Sequence, residues 1–149
     1  MRCGATPPLT AWPTSCARTL KASRHEPTCR HRLTRDADVL GFGPDDIDSA
    51  MATFREICQI AVEDGMAVDP TSVKGAVIRQ EAGYGGVRVD LQAKLDGARI
   101  ALQVDIGCRD AVTPAPAAAR CPLLLDGLPA PQLRAYPKYT VVAEKFHAI

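Results

Sequence analysis

Asp36 and Asp38 stand two residues apart in the run Arg32-Leu33-Thr34-Arg35-Asp36-Ala37-Asp38-Val39-Leu40. On an extended strand, residues two apart project from the same face, so this spacing sets both carboxylates side by side. Two like charges so placed repel each other unless something cationic lies between them. A hard divalent ion such as Mg2+ meets that need, because it takes carboxylate oxygens and binds phosphates at the same time. The chemistry open to the pair is therefore metal-assisted work on a phosphate-bearing substrate. The plainer assignment for a D-x-D is two aspartates that cap a turn or a helix, and the rest of the chain has to decide between the two.

Several elements must hold the pair in place. A strand is expected from Arg32 to Leu40, broken by Gly41-Phe42-Gly43-Pro44. Asp45, Asp46 and Asp48 then suit the start of a helix, where negative charge meets the positive end of the dipole. Ile47, Met51, Phe54, Ile57, Cys58, Ala61 and Val62 recur at helical spacing as one apolar stripe, and Gly65 is expected to end the helix. Short strands follow at Met66–Val68 and Val73–Arg79, separated by Asp69-Pro70, and Gly83-Tyr84-Gly85-Gly86 reads as a turn.

The sharpest local signal is a hairpin. Val87, Val89, Leu91, Ala93 and Leu95 alternate with polar residues, as do Ile100, Leu102, Val104 and Ile106. Asp96-Gly97 between them is a preferred two-residue turn. That turn fixes the register, with Leu95 opposite Ala98 and Arg88 opposite Asp105. The aliphatic face is expected to pack on the helix. The polar face carries Asp105, which is expected to share a sheet face with Asp36 and Asp38. Beyond Gly107 the chain is rich in proline, and Ala115–Ala119 reads as a connector rather than an element. Leu123-Leu124-Leu125 and Leu133 are expected against the core. Thr140 to Ile149 reads as a helix with Val141, Val142 and Phe146 facing inward.

Composition sets the outer bounds. A chain of 149 residues with 46% apolar and 23% charged residues suits one soluble domain, and a net charge of +1 argues neither for nor against nucleic acid. No apolar run is long enough to span a bilayer, and no apolar segment near Met1 resembles a secretory signal, so a cytoplasmic location is expected. Cys3, Cys16, Cys29, Cys58, Cys108 and Cys121 include no C-x-x-C, which favours thiols over a zinc site. Residues 1–29 differ from the rest: they hold four prolines and several basic residues against the single acid Glu26. An Arg- and Ser-rich, acid-poor stretch also fits an organelle transit peptide, but a disordered basic tail, or the product of a misplaced start or shifted reading frame, is expected, with the domain proper at residues 30–149.

Taken in order, R-x-T-R-D-x-D, Y-G-G-V-R-V, L-Q-V-D-I-G, L-R-A-Y-P and T-V-V-A-E-K-F-H-A form a series. From about Arg30 to Ile149 this series resembles the AbiEii/AbiGii nucleotidyltransferase toxin family, within the polymerase-beta-like superfamily. The resemblance implies an α+β (α/β) fold, a mixed sheet flanked by helices, here incomplete. It implies that Asp36 and Asp38 are the D-x-D carboxylates that hold Mg2+ and a nucleoside triphosphate. Asp105 fits the superfamily's third strand carboxylate as a further metal ligand. Lys145 matches the lysine of A-E-K, which approaches the triphosphate as a catalytic and binding residue. The implied reaction is transfer of a nucleotidyl group to a hydroxyl, with RNA one of the acceptors it allows and a cognate antitoxin as partner.

This sequence departs from the family at both ends. A Gly-Ser or Gly-Gly/Ala turn precedes D-x-D in relatives, whereas Thr19–Cys29 stands there instead. An acidic helix follows A-E-K in relatives, and the sequence stops before it. The chain as written is accordingly expected to transfer nucleotides poorly or not at all. The alternative to the enzyme is thus a catalytically inactive, truncated remnant that at most binds a nucleotide or an antitoxin. A haloacid-dehalogenase-like phosphotransferase, which also uses D-x-D, would need a strongly apolar strand before the pair, and Arg32-Leu33-Thr34-Arg35 is not one.

Overall fold

The computed structural model describes residues 19–20, 36–78, 85–108, 112–120, 127, 130 and 132–147. Thr19–Leu20, within the stretch expected to be disordered, is a two-residue strand, while the expectations for the remainder of residues 1–29, for Arg32–Arg35, for Gly83-Tyr84 and for Leu123–Leu125 lie outside the described residues. The elements run β1 (Thr19–Leu20), β2 (Asp36–Gly41), α1 (Ile47–Cys58), β3 (Met66–Ile78), β4 (Gly86–Leu95), β5 (Ala98–Cys108), β6 (Ala117–Arg120), β7 (Gln132–Ala135) and α2 (Lys138–His147). The strands form one sheet in the order β3-β4-β5-β2-β1-β7-β6. It is mixed, because β2 runs parallel to β5 while β3, β4 and β5 form an antiparallel meander. The fold is α+β, as expected.

The hairpin has the expected register. Leu95 pairs with Ala98, and Arg88 pairs with Asp105. Asp96 (φ 45°) and Gly97 (φ 83°) both take positive φ, the condition for a type I′ turn that matches the twist of the strands. With the register so fixed, Val87, Val89, Leu91 and Ile106 fall on one face. There they join Val39 and Val73 beneath Ala50 and Phe54 of α1.

α1 starts where the aspartates indicate. Asp46 is its N-cap, and Asp46 Oδ1 accepts from the Ser49 N–H at 2.8 Å. That bond holds the Asp46 carboxyl below the usual aspartate range. A lowered pKa means stabilisation that is present above the ordinary aspartate pKa and lost as pH falls through the lowered one. Asp46→Ala should therefore lower the unfolding midpoint at neutral pH, and the difference from wild type should vanish in strong acid. A difference that persists unchanged in acid would show that the carboxylate is not the source of the capping.

The helix ends earlier than the stripe predicts. It stops at Cys58, where the Gln59 N–H returns to the Glu56 and Ile57 carbonyls and the Ile60 N–H bonds to Ile57 at 3.1 Å. The Gln59–Glu56 and Ile60–Ile57 bonds are tight i→i−3 contacts that close the last turn. Val62 is left 51% exposed, so the stripe's last members find no partner. Gly65 (φ 77°) serves the turn into β3, alongside Asp64, whose Oδ1 accepts from the Met66 N–H at 2.9 Å.

β3 is one strand rather than two. Asp69-Pro70 falls within an irregularity of the β3–β4 register between Asp69 and Lys74. Proline donates no bond to the ladder, and β3 lies at the sheet edge, where such a break is tolerated. The Asp69 carboxylate accepts from the Thr71 N–H and hydroxyl at 2.9 and 2.6 Å. Ser72 Oγ accepts from the Gln92 N–H at 2.8 Å, so a side chain bridges the gap in the ladder.

Past the break, Gly75 lies directly under α1. A Cβ there would sit 2.5 Å from Ile47 Cγ2 and 3.0 Å from Met51 Cγ. The Ile47 methyl is branched at Cβ and has little room to turn aside. Gly75→Ala should thus lift α1 from the sheet and destabilise the protein by about 1–3 kcal/mol, the usual cost of overpacking. Equal unfolding midpoints in urea for variant and wild type would contradict this packing.

Two expectations for the C-terminal third are corrected. Ala117–Arg120 is a strand, β6, paired antiparallel with β7, although Ala115–Ala119 reads as a connector. Alanine has little intrinsic preference for strands, and here pairing with a distant segment decides the matter. α2 begins at Lys138 rather than Thr140, and it presents Val142 (44% exposed) and Phe146 (75% exposed) outward. Thr140 is buried instead, and its hydroxyl donates to the Thr113 carbonyl at 3.0 Å. Among the described residues no helix is long and apolar enough to cross a membrane. Cys58 and Cys108 are thiols rather than halves of disulfides. Burial, with a smaller contribution from the Asp69 charge, pushes the Cys58 thiol above its usual pKa.

Candidate active site

The face of the sheet opposite α1 gathers the charged residues. On β2, Val39 points into the core, so Asp36 and Asp38 point away from it. Both are exposed. The parallel register sets Asp38 beside Asp105 and Asp36 beside Gln103. Residues paired in this way share a face, with backbones about 4.8 Å apart. β4 adds Arg88 next to Asp105 and Asp90 next to Gln103. β3 adds Lys74 next to Asp90, since its neighbour Gly75 faces α1. Two rows therefore cross the sheet, Asp38–Asp105–Arg88 and Asp36–Gln103–Asp90–Lys74.

Asp36, Asp38 and Asp105 thus lie on one face, as the alternation of the strands predicts. Lys145 lies in α2. Lys74 is the member that sequence reasoning missed. Its face is set by the close approach of Gly75 to α1, and the only hint in the sequence is the glycine itself.

The best-defined interaction on this face joins Arg88 and Asp105. Arg88 Nε donates to Asp105 Oδ1 and Nη2 donates to Oδ2, each at 2.8 Å. This is the two-pronged fit of a planar guanidinium to a carboxylate. Asp105 is the more enclosed partner, at 15% exposure against 37% for Arg88. With the Gln103 amide oxygen turned toward the guanidinium, it accepts from Nε and Nη2 at 3.2 Å. The hydrogen bond to Asp105 raises the Arg88 pKa above its ordinary value, and the charges of Asp105, Asp90 and Asp36 reinforce it. Arg88 thus sits in the combined field of this acidic face.

The donor set suits a hard divalent cation: carboxylate oxygens from neighbouring strands, with Asp36 and Asp38 open to solvent. As placed, no three His, Cys, Asp or Glu side chains among the described residues draw together as ligands, and Asp105 is turned to Arg88. A cleft of about 260 Å³ lies on the other side of the sheet. Its walls include Phe42, Ser49, Thr53, Glu56, Ile106 and Cys108, and none of the D-x-D carboxylates. The Arg134 guanidinium lies 5.5 Å from the centre of the Phe42 ring and ties β7 to the loop after β2.

The model of the family described as nucleotidyl transferase AbiEii toxin, type IV TA system, matches residues 29–149. The chain belongs to the AbiEii family. A crystal structure of an H. pylori protein assigned as a nucleotidyltransferase shares the fold, with a TM-score of 0.50 at 12% identity. The match covers 87% of the AbiEii-family chain described here and 49% of the H. pylori chain, so this chain spans about half that protein's length. No curated protein sequence matches it. Within the AbiEii match, D-x-D falls on β2, V-R-V on β4, L-Q-V-D-I-G on β5 and L-R-A on β7, so the ordered motifs become strands of one sheet.

Proposed function

We propose that the polar face formed by β2, β5 and β4 is the site of Mg2+-dependent nucleotidyl transfer from a nucleoside triphosphate to a hydroxyl, with RNA as acceptor. The observation that carries this reading is the placement of Asp36 and Asp38 on one exposed face, with Asp105 in register beside Asp38, in a chain of the AbiEii family. Asp36, Asp38 and Asp105 would hold the cation. When bound, Mg2+ supplies positive charge that offsets the phosphates and helps align the acceptor.

The residues of the chain do the rest. α1 packs the back of the sheet and fixes the strand that carries Asp36 and Asp38, as the positioning of reacting groups demands. Lys145 of α2 is assigned to the triphosphate, where an ammonium is a compact partner for phosphate oxygens. In the transfer, the acceptor oxygen bonds to the α-phosphorus, the bond from that phosphorus to the bridging oxygen breaks to release pyrophosphate, and the hydroxyl proton passes to water. Residues 30–149 are assigned to the nucleotidyltransferase-like domain, a cognate antitoxin is the protein partner, and the cytoplasm is the place of action.

The test is to incubate the purified chain with each labelled triphosphate, Mg2+ and total RNA. Label should pass to RNA from at least one triphosphate, slowly in view of the two departures from the family pattern, and should fail to pass when the divalent ion is chelated. No transfer from any triphosphate, or transfer indifferent to chelation, would count against the proposal.

A further inference from the structure

We infer that Arg88 is a built-in competitor for the cation at Asp105: its guanidinium closes that carboxylate when no divalent ion is bound, and is released toward the phosphates of the substrate when one is. The inference rests on the proposed cation site and adds an exchange step to it. Three observations carry it. Both Asp105 oxygens accept from Arg88 at 2.8 Å, so a metal at this carboxylate must compete with the guanidinium for its negative charge and for its orientation. Asp105 lies beside Asp38 in the parallel register, on the sheet face that carries the D-x-D pair. The Arg88 side chain is 37% exposed and, among the described residues, its guanidinium is held by side chains, so it can swing without disturbing the backbone ladder.

Charge explains why the exchange would be balanced. Among the described residues, Asp36, Asp38, Asp90 and Asp105 share this face with Arg88 and Lys74. Without a cation, Arg88 offsets the repulsion among the carboxylates. With a divalent ion in place, the guanidinium is surplus positive charge beside the metal, and an anionic triphosphate becomes its natural partner. A guanidinium fork fits phosphate oxygens as well as it fits a carboxylate. Arg88 is therefore a positioning residue for Asp105 in the cation-free protein and a substrate contact in the loaded one.

The experiment measures Mn2+ affinity by calorimetry at low ionic strength for wild type, Arg88→Gln, Asp105→Asn and the double variant, with thermal unfolding as a check on folding. Arg88→Gln should bind Mn2+ roughly fivefold more tightly, the scale of a partly exposed ion pair. In the Asp105→Asn background the same change should have little effect. Arg88→Lys, which keeps the charge but loses the fork, should fall between wild type and Arg88→Gln. Unchanged or weaker Mn2+ binding by Arg88→Gln overturns the inference. So does equal tightening with and without Asp105, because the guanidinium would then act through its field alone. Asp36→Ala separates the two levels: if it leaves Mn2+ affinity untouched, the cation site itself is wrong and the inference falls with it. If Asp36→Ala weakens binding while Arg88→Gln changes nothing, only the inference fails.

Discussion

Asp36→Ala is expected to lower nucleotidyl transfer by about a hundredfold or more, on the scale seen when one well-placed electrostatic group is removed from an active site. The fold should survive, because Asp36 is an exposed residue at the first position of β2 and contributes nothing to the core under α1. Its loss leaves Asp38 as the remaining carboxylate of the pair. Asp36→Asn should fail nearly as badly, since an amide keeps the shape but not the charge that a divalent ion requires. Asp48→Ala, an exposed acid in the first turn of α1, is the matched control and should keep its activity. Assays of RNA labelling on the three variants check this. An Asp36→Ala protein with more than half of wild-type activity would remove the D-x-D pair from the chemistry.

Phe54→Ala is the change expected to cost the most stability. Phe54 is 8% exposed and packs in the cluster that joins α1 to Val39, Val87, Val89 and Ile106. Removing a ring from such a site destabilises by about 3–5 kcal/mol, through lost transfer energy and the cavity left behind. A domain holds only about 5–15 kcal/mol in total, so much of the margin would go. Because β2 is one wall of this cluster, the D-x-D strand should loosen along with the helix. Urea unfolding should show the midpoint fall sharply with little change in slope. A loss below about 1 kcal/mol would mean that α1 does not seat on the sheet as described.

What could be read from the sequence was what local chemistry decides. Asp96-Gly97 can make only a few turns, and the alternation on either side admits one register, so the Arg88–Asp105 pairing followed from counting. Asp46 likewise marked the start of α1 through a bond that reaches three residues. The end of α1 was harder, because Ala61 and Val62 continue the apolar spacing but meet no sheet surface. β6 was hidden for the opposite reason: its alanines carry no strand signal, and only pairing with β7 makes them a strand. The outward face of α2 depends on what lies beside it, which spacing alone does not give. For the candidate site, D-x-D and Asp105 stood out by type and period. That β2 lies next to β5 is a matter of topology, and Lys74 joins the face only because Gly75 is pressed against α1.

The central claim is that the cation and the triphosphate meet the face bearing Asp36 and Asp38, and not the cleft beside Ser49, Thr53 and Glu56. Paramagnetic broadening of backbone amide signals by a trace of Mn2+ tests this most directly, since the effect falls off steeply with distance from the ion. The account predicts selective loss of the signals of Asp36, Ala37, Asp38, Val104 and Asp105, with recovery on adding excess Mg2+. Broadening centred on Ser49, Thr53 and Glu56, or spread evenly over the surface acids, would contradict it.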